Sequence, residues 1–376
     1  MDDGEDTMER DTDGRDVEVA GADGGRSDAG HEQDPGRRRL LRVAGLGGAA
    51  LLGGGALGRG VSTALTAERE PSGIRAAEPA LAQGSGDLAE LGASDGYGGV
   101  APPRGLTRDR IDELTVAPPR DDAPPGTLRE YDLSVTAGRH EVAEDVMIDA
   151  WVYGGRLPGP VIRATEGDLL RLHMHNHGPG AHSLHLHGTH PPGPMDGWQP
   201  IANGDAFTYE FPALPVGVHP YHCHVGPIDE HVRRGQYGVL IVDPPGGRAP
   251  AHEVVLVLGG FDLDGDGRDD LYAFNGVSGG YGRFPIRVPT GELVRCYVVN
   301  MVAGDPVASF HLHAQTFDVY RSGTSLEPHE HTDIITLGMA ERAIIEFTLP
   351  EPGRYMFHPH QLHMSSRGMM GWFAAT

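Results

Sequence analysis

The chain has no lysine: all 30 of its basic residues are arginine, against 53 acidic ones, for a formal net charge of −23 over 376 residues. A surface so short of positive charge argues against nucleic-acid binding, which needs a basic patch, and would welcome a metal or organic cation as substrate. With only two cysteines, Cys223 and Cys296, no disulfide framework can be built. Cys296 lies in the β-branched run 293–299 and reads as a small buried hydrophobe.

No apolar run reaches the ~18 residues of a membrane span. The longest, from Val43 to about Leu57, follows Arg37-Arg38-Arg39-Leu40-Leu41-Arg42, and that order matches a twin-arginine export signal, with small residues near Ala64 or Ala67 for cleavage. An uncleaved anchor is the alternative. Export would place the protein outside the cell, on its surface or in a periplasm. Residues 1–34 carry about −10 of the charge and almost no large apolar side chains, so 1–67 is expected to be a disordered head plus the signal. Residues 68–127, rich in Ala, Gly, Pro and Asp, read as a flexible linker.

The remaining chain, about 250 residues, is enough for two sandwich-sized domains. Short alternating or β-branched runs (131–136, 169–175, 207–211, 237–242, 254–258, 293–300 and 343–349) are separated by Gly, Pro and Asp, with hardly any helical periodicity. The class is all-β. Pro244-Pro245-Gly246-Gly247 divides a first domain, 128–246, from a second, 251–376.

Histidine is concentrated in strands, and strand parity gives it meaning. Successive side chains on a strand point to opposite faces, so in His182-Ser183-Leu184-His185-Leu186-His187 the pair His185 and His187 shares a face that His182 does not. In His222-Cys223-His224 the two imidazoles share a face and the thiol points away, toward the side where His182 and His231 can join it. One set is His₂Cys, the ligand combination of a blue-copper site; the other is all imidazole. A second copy lies about 125 residues on, in His311-Leu312-His313 and His358-Pro359-His360. Proline replaces the cysteine there and Ala308 replaces His182, so this copy keeps only the imidazole set.

These motifs resemble the multicopper oxidases, within them the laccase-like two-domain group with its type 1 copper in the N-terminal domain. The resemblance spans 128–376 and includes Leu157-Pro158-Gly159-Pro160-Val161-Ile162-Arg163, Glu166-Gly167-Asp168, Met195-Asp196-Gly197, 207–212 and 353–358. It implies two cupredoxin-like Greek-key sandwiches and four coppers per functional unit. Type 1 copper would take His182, Cys223 and His231, and type 2 would take His185 and His311. The type 3 pair would take His187, His222, His224, His313, His358 and His360. The implied reaction removes single electrons from phenolic, aromatic or metal-ion donors and reduces dioxygen to water, and the implied assembly is a homotrimer with clusters between subunits. A copper nitrite reductase shares the fold and trimer but lacks the type 3 pair; a non-enzymatic copper protein has no reason to keep the face parity.

Other residues are weighed against plainer roles. Gln236, where a methionine or leucine commonly sits, is either an axial ligand that lowers the type 1 potential or packing. Asp196 is either a proton relay or a turn former beside Gly197. Asp229 and Glu230 read as solvated loop residues, and His173, His175 and His177 as the outer face of a strand. The run Asp262-Leu263-Asp264-Gly265-Asp266-Gly267 begins like a calcium loop, but Ala273 stands at position twelve, so a tight turn is expected. Met364, Met369 and Met370 read as core filler rather than a cuprous-ion site.

Overall fold

The computed structural model describes residues 100–376; the acidic head, the arginine motif at 37–42 and the linker up to 99 lie outside the described residues. All-β architecture follows from the sequence rhythm. In Leu169–His175, Leu172 and Met174 are buried while His175 is exposed, the alternation of a half-buried strand. His173 and His177 share that outward face.

The first sandwich is built from three sheets. Leu128–Asp132, Leu169–His175 and Ala206–Pro212 form one; Val135–Ala143 and Val146–Tyr153 form a hairpin; Val161–Thr165, Tyr237–Asp243, Gly217–His222 and His185–Leu186 form the third. The expected strand 131–136 is in fact a junction of two strands, broken where the Asp132 carboxylate accepts from Ser134 N–H and Oγ. The second sandwich pairs a six-stranded sheet with a five-stranded one, and Val307–Leu312 and Gly353–His358 lie side by side in the latter. A core rich in Phe and β-branched side chains fills the space between them. Cys296 is free and buried there, as are Met364 and Met369. Among the described residues no helix is long and apolar enough to cross a membrane.

The linker expectation is corrected for its described part. Residues 108–115 form a helix capped by Thr107, which accepts from Arg110 N–H, and Ile111 and Leu114 are buried in the core of the second sandwich. Thr115 Oγ1 reaches Tyr281 OH at 2.9 Å, and Ala117 N–H donates to Glu253 O. Only two large apolar residues, one turn apart, anchor this strap, too few to stand out among its charged and proline-rich neighbours.

A buried ionic network ties the sandwiches together. Arg163 forks onto Asp243 at 2.7 and 3.0 Å and reaches Glu253 at 2.6 Å, and Glu253 also accepts from Arg295 and Tyr297. Burial pushes the Glu253 carboxyl up, but the Arg163 hydrogen bond and charge outweigh it and hold it below the usual carboxylate range. Its stabilisation is therefore present above the unfolded carboxylate pKa and is lost as pH falls through the lower folded value. Glu253→Gln, which leaves two buried guanidiniums short of a charge, should cost about 3–5 kcal/mol at neutral pH in denaturant unfolding. A loss below about 1 kcal/mol would show the network to be dispensable.

Candidate metal centres

The segment leading into His185–Leu186, the turn after Gly217–His222 and the helix that follows bring His182, Cys223 and His231 together, with one donor atom from each lying within 4.8 Å of the others. All three are buried. His231 sits on a short helix, Ile228–Arg233, rather than in the loop the sequence suggests. Within that helix Asp229 pairs with Arg233 and Glu230 with Arg234. Gln236 follows at the base, and its Oε1 lies 3.0 Å from Nδ1 of both His182 and His231. Its Nε2 is buried without a partner. Such an amide is costly unless its oxygen is wanted where it points. The Ser183 N–H donates to Cys223 Sγ at 3.4 Å, and burial raises the thiol's pKa in the absence of metal. Trp151, which the sequence did not mark, meets the His182 ring at 5.2 Å and the His231 ring at 4.8 Å, with the Arg234 guanidinium over its own face.

On the opposite face of the same strands lie the imidazoles of His185, His187, His222 and His224. His187 Nε2 and His222 Nε2 are 2.9 Å apart, and the His185 and His224 rings are 4.8 Å apart. The second sandwich repeats the arrangement: His313 Nε2 lies 3.0 Å from His358 Nε2, and the His311 and His360 rings are 5.1 Å apart. Burial and the neighbouring His222 push His187 down to about 3, and burial pushes His182 and His222 to about 4, so these rings are neutral at pH 7. Neutral imidazole is the metal-binding form.

Backbone carbonyls fix which nitrogen is presented. Nδ1–H of His222 donates to Cys223 O and that of His358 to Pro359 O, both at 2.8 Å; His185 donates to Asp196 O at 2.6 Å and His311 to Asp333 O at 2.9 Å. Each of the four rings therefore turns an Nε2 lone pair toward its quartet. The Asp196 carboxylate also stands 3.0 Å from His185 Nδ1 and 3.4 Å from His190. It occupies a tight turn closed by Gly197 at φ 78°, where a Cβ would sit 2.0 Å from Leu184 O. The turn thus sets the carboxylate beside the two imidazoles.

Two serines were missed although the sequence repeats them two residues before His185 and His311. Ser183 Oγ accepts from His224 N–H at 3.1 Å and Ser309 Oγ from His360 N–H at 2.7 Å. Where Ser183 N–H meets the thiol in the first copy, Ser309 N–H in the second meets the Gln361 amide, whose Oε1 accepts at 3.0 Å. Asp333 had no local signal, being brought to His311 only by strand pairing. The Asp262 loop is a tight turn in which Gly265 and Gly267 N–H groups donate to the Asp262 carboxylate.

The donor sets fit copper: two imidazoles and a thiolate with an amide oxygen alongside, and two all-imidazole quartets. The donor groups do not mix the sandwiches among the described residues; His185, His187 and His222 form one, and His311, His313 and His358 another. His224, His313 and His360 are exposed.

Comparison with known proteins agrees with this chemistry. Two family models, each described as multicopper oxidase, match residues 134–247 and 253–376. A multicopper oxidase crystal structure superposes with a TM-score of 0.65 at 40% identity, over 68% of this chain and 94% of that one. A copper nitrite reductase from Nitrosomonas europaea gives 0.60 at 26% identity, over 66% and 94%. In sequence, a copper-containing nitrite reductase of Neisseria meningitidis is 28% identical over 69% of this chain and 74% of its own length. The multicopper oxidase MmcO of Mycobacterium tuberculosis is also 28% identical, over 52% and 47%.

Proposed function

Because this chain belongs to the multicopper oxidase family, we propose that it takes electrons singly from a small donor, a phenol, an aromatic amine or a metal ion, and delivers them to dioxygen, which leaves as water. The observation that carries this reading is one segment: Cys223 belongs to the His₂Cys set while its covalent neighbours His222 and His224 belong to a quartet. Copper, when bound, supplies one-electron transfer at the first set and a seat for dioxygen reduction at the second.

His182, Cys223 and His231 would hold type 1 copper, with Gln236 Oε1 as a further oxygen donor beside them. His185 and His311 would hold type 2, and His187, His222, His224, His313, His358 and His360 the type 3 pair, four coppers in all. Asp196 orients His185 and is suited to pass protons inward. Each quartet is half a cluster site, and each exposes rings to solvent, His224 in the first and His313 and His360 in the second; this supports closure between the N-terminal sandwich of one copy and the C-terminal sandwich of the next, in a homotrimer. The arginine motif before residue 43 supports export by the twin-arginine route.

The nitrite reductase relatives favour a second reading, a two-copper enzyme acting on nitrite. That chemistry has no use for His224 together with His313, His358 and His360. Metal analysis with oxygen and nitrite consumption separates the two: about four coppers per chain, a blue thiolate band and oxygen uptake are expected, whereas about two coppers and nitrite turnover without oxygen uptake would sink the proposal. Gln236→Leu, by removing a hard oxygen that stabilises the oxidised metal, should raise the type 1 reduction potential in a redox titration. An unchanged or lower potential would remove the donor role of Gln236.

A further inference from the structure

The rings of Trp151, His182 and His231 form a nearly equilateral triangle, with centroids 5.2, 4.8 and 5.0 Å apart and every pair edge to face. The two imidazoles are not held alike. His182 donates Nε2–H to Pro179 O at 3.0 Å, which fixes the ring and turns its Nδ1 toward Gln236 Oε1. His185, His222, His311 and His358 are likewise fixed by a backbone carbonyl at the nitrogen away from their quartet. His231 has no such bond among the described residues: its Nδ1 meets Gln236 Oε1, and its Nε2 meets no hydrogen-bond partner. Nor is its helix, Ile228–Arg233, a firm mount, being six residues long with no side-chain cap at its start. What bears on the His231 ring is the indole. Trp151 stands between Ala150 and Val152, both buried in the core, and strand parity turns it the other way, onto the imidazoles. The Arg234 guanidinium lies 4.5 Å over the indole and is itself bonded to Glu230 Oε1 at 3.0 Å and Asp149 O at 3.1 Å, while Trp151 N–H donates to Arg234 O at 2.9 Å.

We propose that Trp151, clamped by Arg234, is the positioning residue that fixes the His231 ring in its donor set, in place of the carbonyl hydrogen bond that the other rings receive. The proposal rests on the type 1 reading of the His₂Cys set. An outer partner orients a ligating imidazole and keeps its lone pair aimed at the metal. An edge-to-face aromatic contact has a preferred geometry too, so it can resist rotation of the ring it touches. The clamp matters because a partly exposed indole on a hairpin would otherwise be free to swing outward. His182 touches the same indole but keeps its bond to Pro179. Loss of the indole should therefore be felt by one ligand of the pair, a bias that mere filling of space would not produce.

The test uses the full chain. In the metal-free protein, NMR relaxation of carbon-13-labelled histidine rings should show His231 reorienting in Trp151→Ala while His182 stays as rigid as in the parent. In the copper-loaded protein, a chelator should strip the blue band about 10–100-fold faster from Trp151→Ala than from the parent. Trp151→Phe, which keeps an aromatic edge, should stay within about threefold of the parent, and Arg234→Met, which leaves the indole unclamped, should fall between Phe and Ala. Equal loosening of both rings in Trp151→Ala overturns the proposal, as does loss of the blue band within about twofold of the parent in Arg234→Met and Trp151→Ala alike. Should Trp151→Ala not fold, Arg234→Met decides by the same two readings. A parent that loads copper without a blue band overturns the type 1 reading instead, a failure the metal-free measurement cannot mimic.

Discussion

Cys223→Ser is expected to abolish the blue band and to lower donor-driven oxygen uptake well beyond the roughly 10–100-fold cost of losing an outer partner of a metal site. The hydroxyl is nearly isosteric with the thiol, and the site is fully buried, so the fold should persist. What disappears is a soft, polarisable donor that allows the metal to change oxidation state with little movement. The same substitution leaves His222 and His224 in place, held by the Cys223 carbonyl and by Ser183 Oγ. A near-ultraviolet band from coupled coppers should therefore survive it. Loss of both bands together would mean that the two centres are not separable, and activity within tenfold of the parent would mean that electrons do not enter through the thiol.

Two inactive variants should rescue each other. His185→Ala damages the N-terminal quartet and His311→Ala the C-terminal one, and each alone should lose oxygen reduction. If the quartets meet between neighbouring copies, co-expression creates junctions in which an intact N-terminal half faces an intact C-terminal half. Random mixing makes these about a quarter of the total, so activity should recover to about a quarter of the parent's. Closure within one chain allows no such recovery. Rescue near zero, with mixed oligomers demonstrated by differential tagging, would place the cluster inside the protomer.

Much of the candidate site was legible because strand parity is a rigid rule. Once His182, His185 and His187 stand in one extended segment, the two sides of the strand are assigned, and Cys223 follows from its own neighbours. The imidazole groupings obey that rule in both sandwiches, and the thiol grouping obeys it in the first. Less legible was anything set by pairing between distant segments: Asp333 reaches His311 across a strand pair, and Trp151 reaches His182 and His231 from a hairpin. The docked helix 108–115 was hidden for a different reason, since its burial depends on two residues and on a surface that no local pattern announces. Ser183 and Ser309 could have been found, because duplication repeats them at the same offset from a histidine.

Gln361 accepts from Ser309 N–H as the Cys223 sulfur accepts from Ser183 N–H in the other half of the molecule, and an amide neither changes oxidation state nor gains or loses a proton near neutral pH. The backbone of His360 is thus braced by a group indifferent to the traffic of charge. On the proposed function, the covalent bridge from a thiol to two imidazoles exists in the His222–His224 segment alone among the described residues, and the opposite wall has no redox-active side chain in that place.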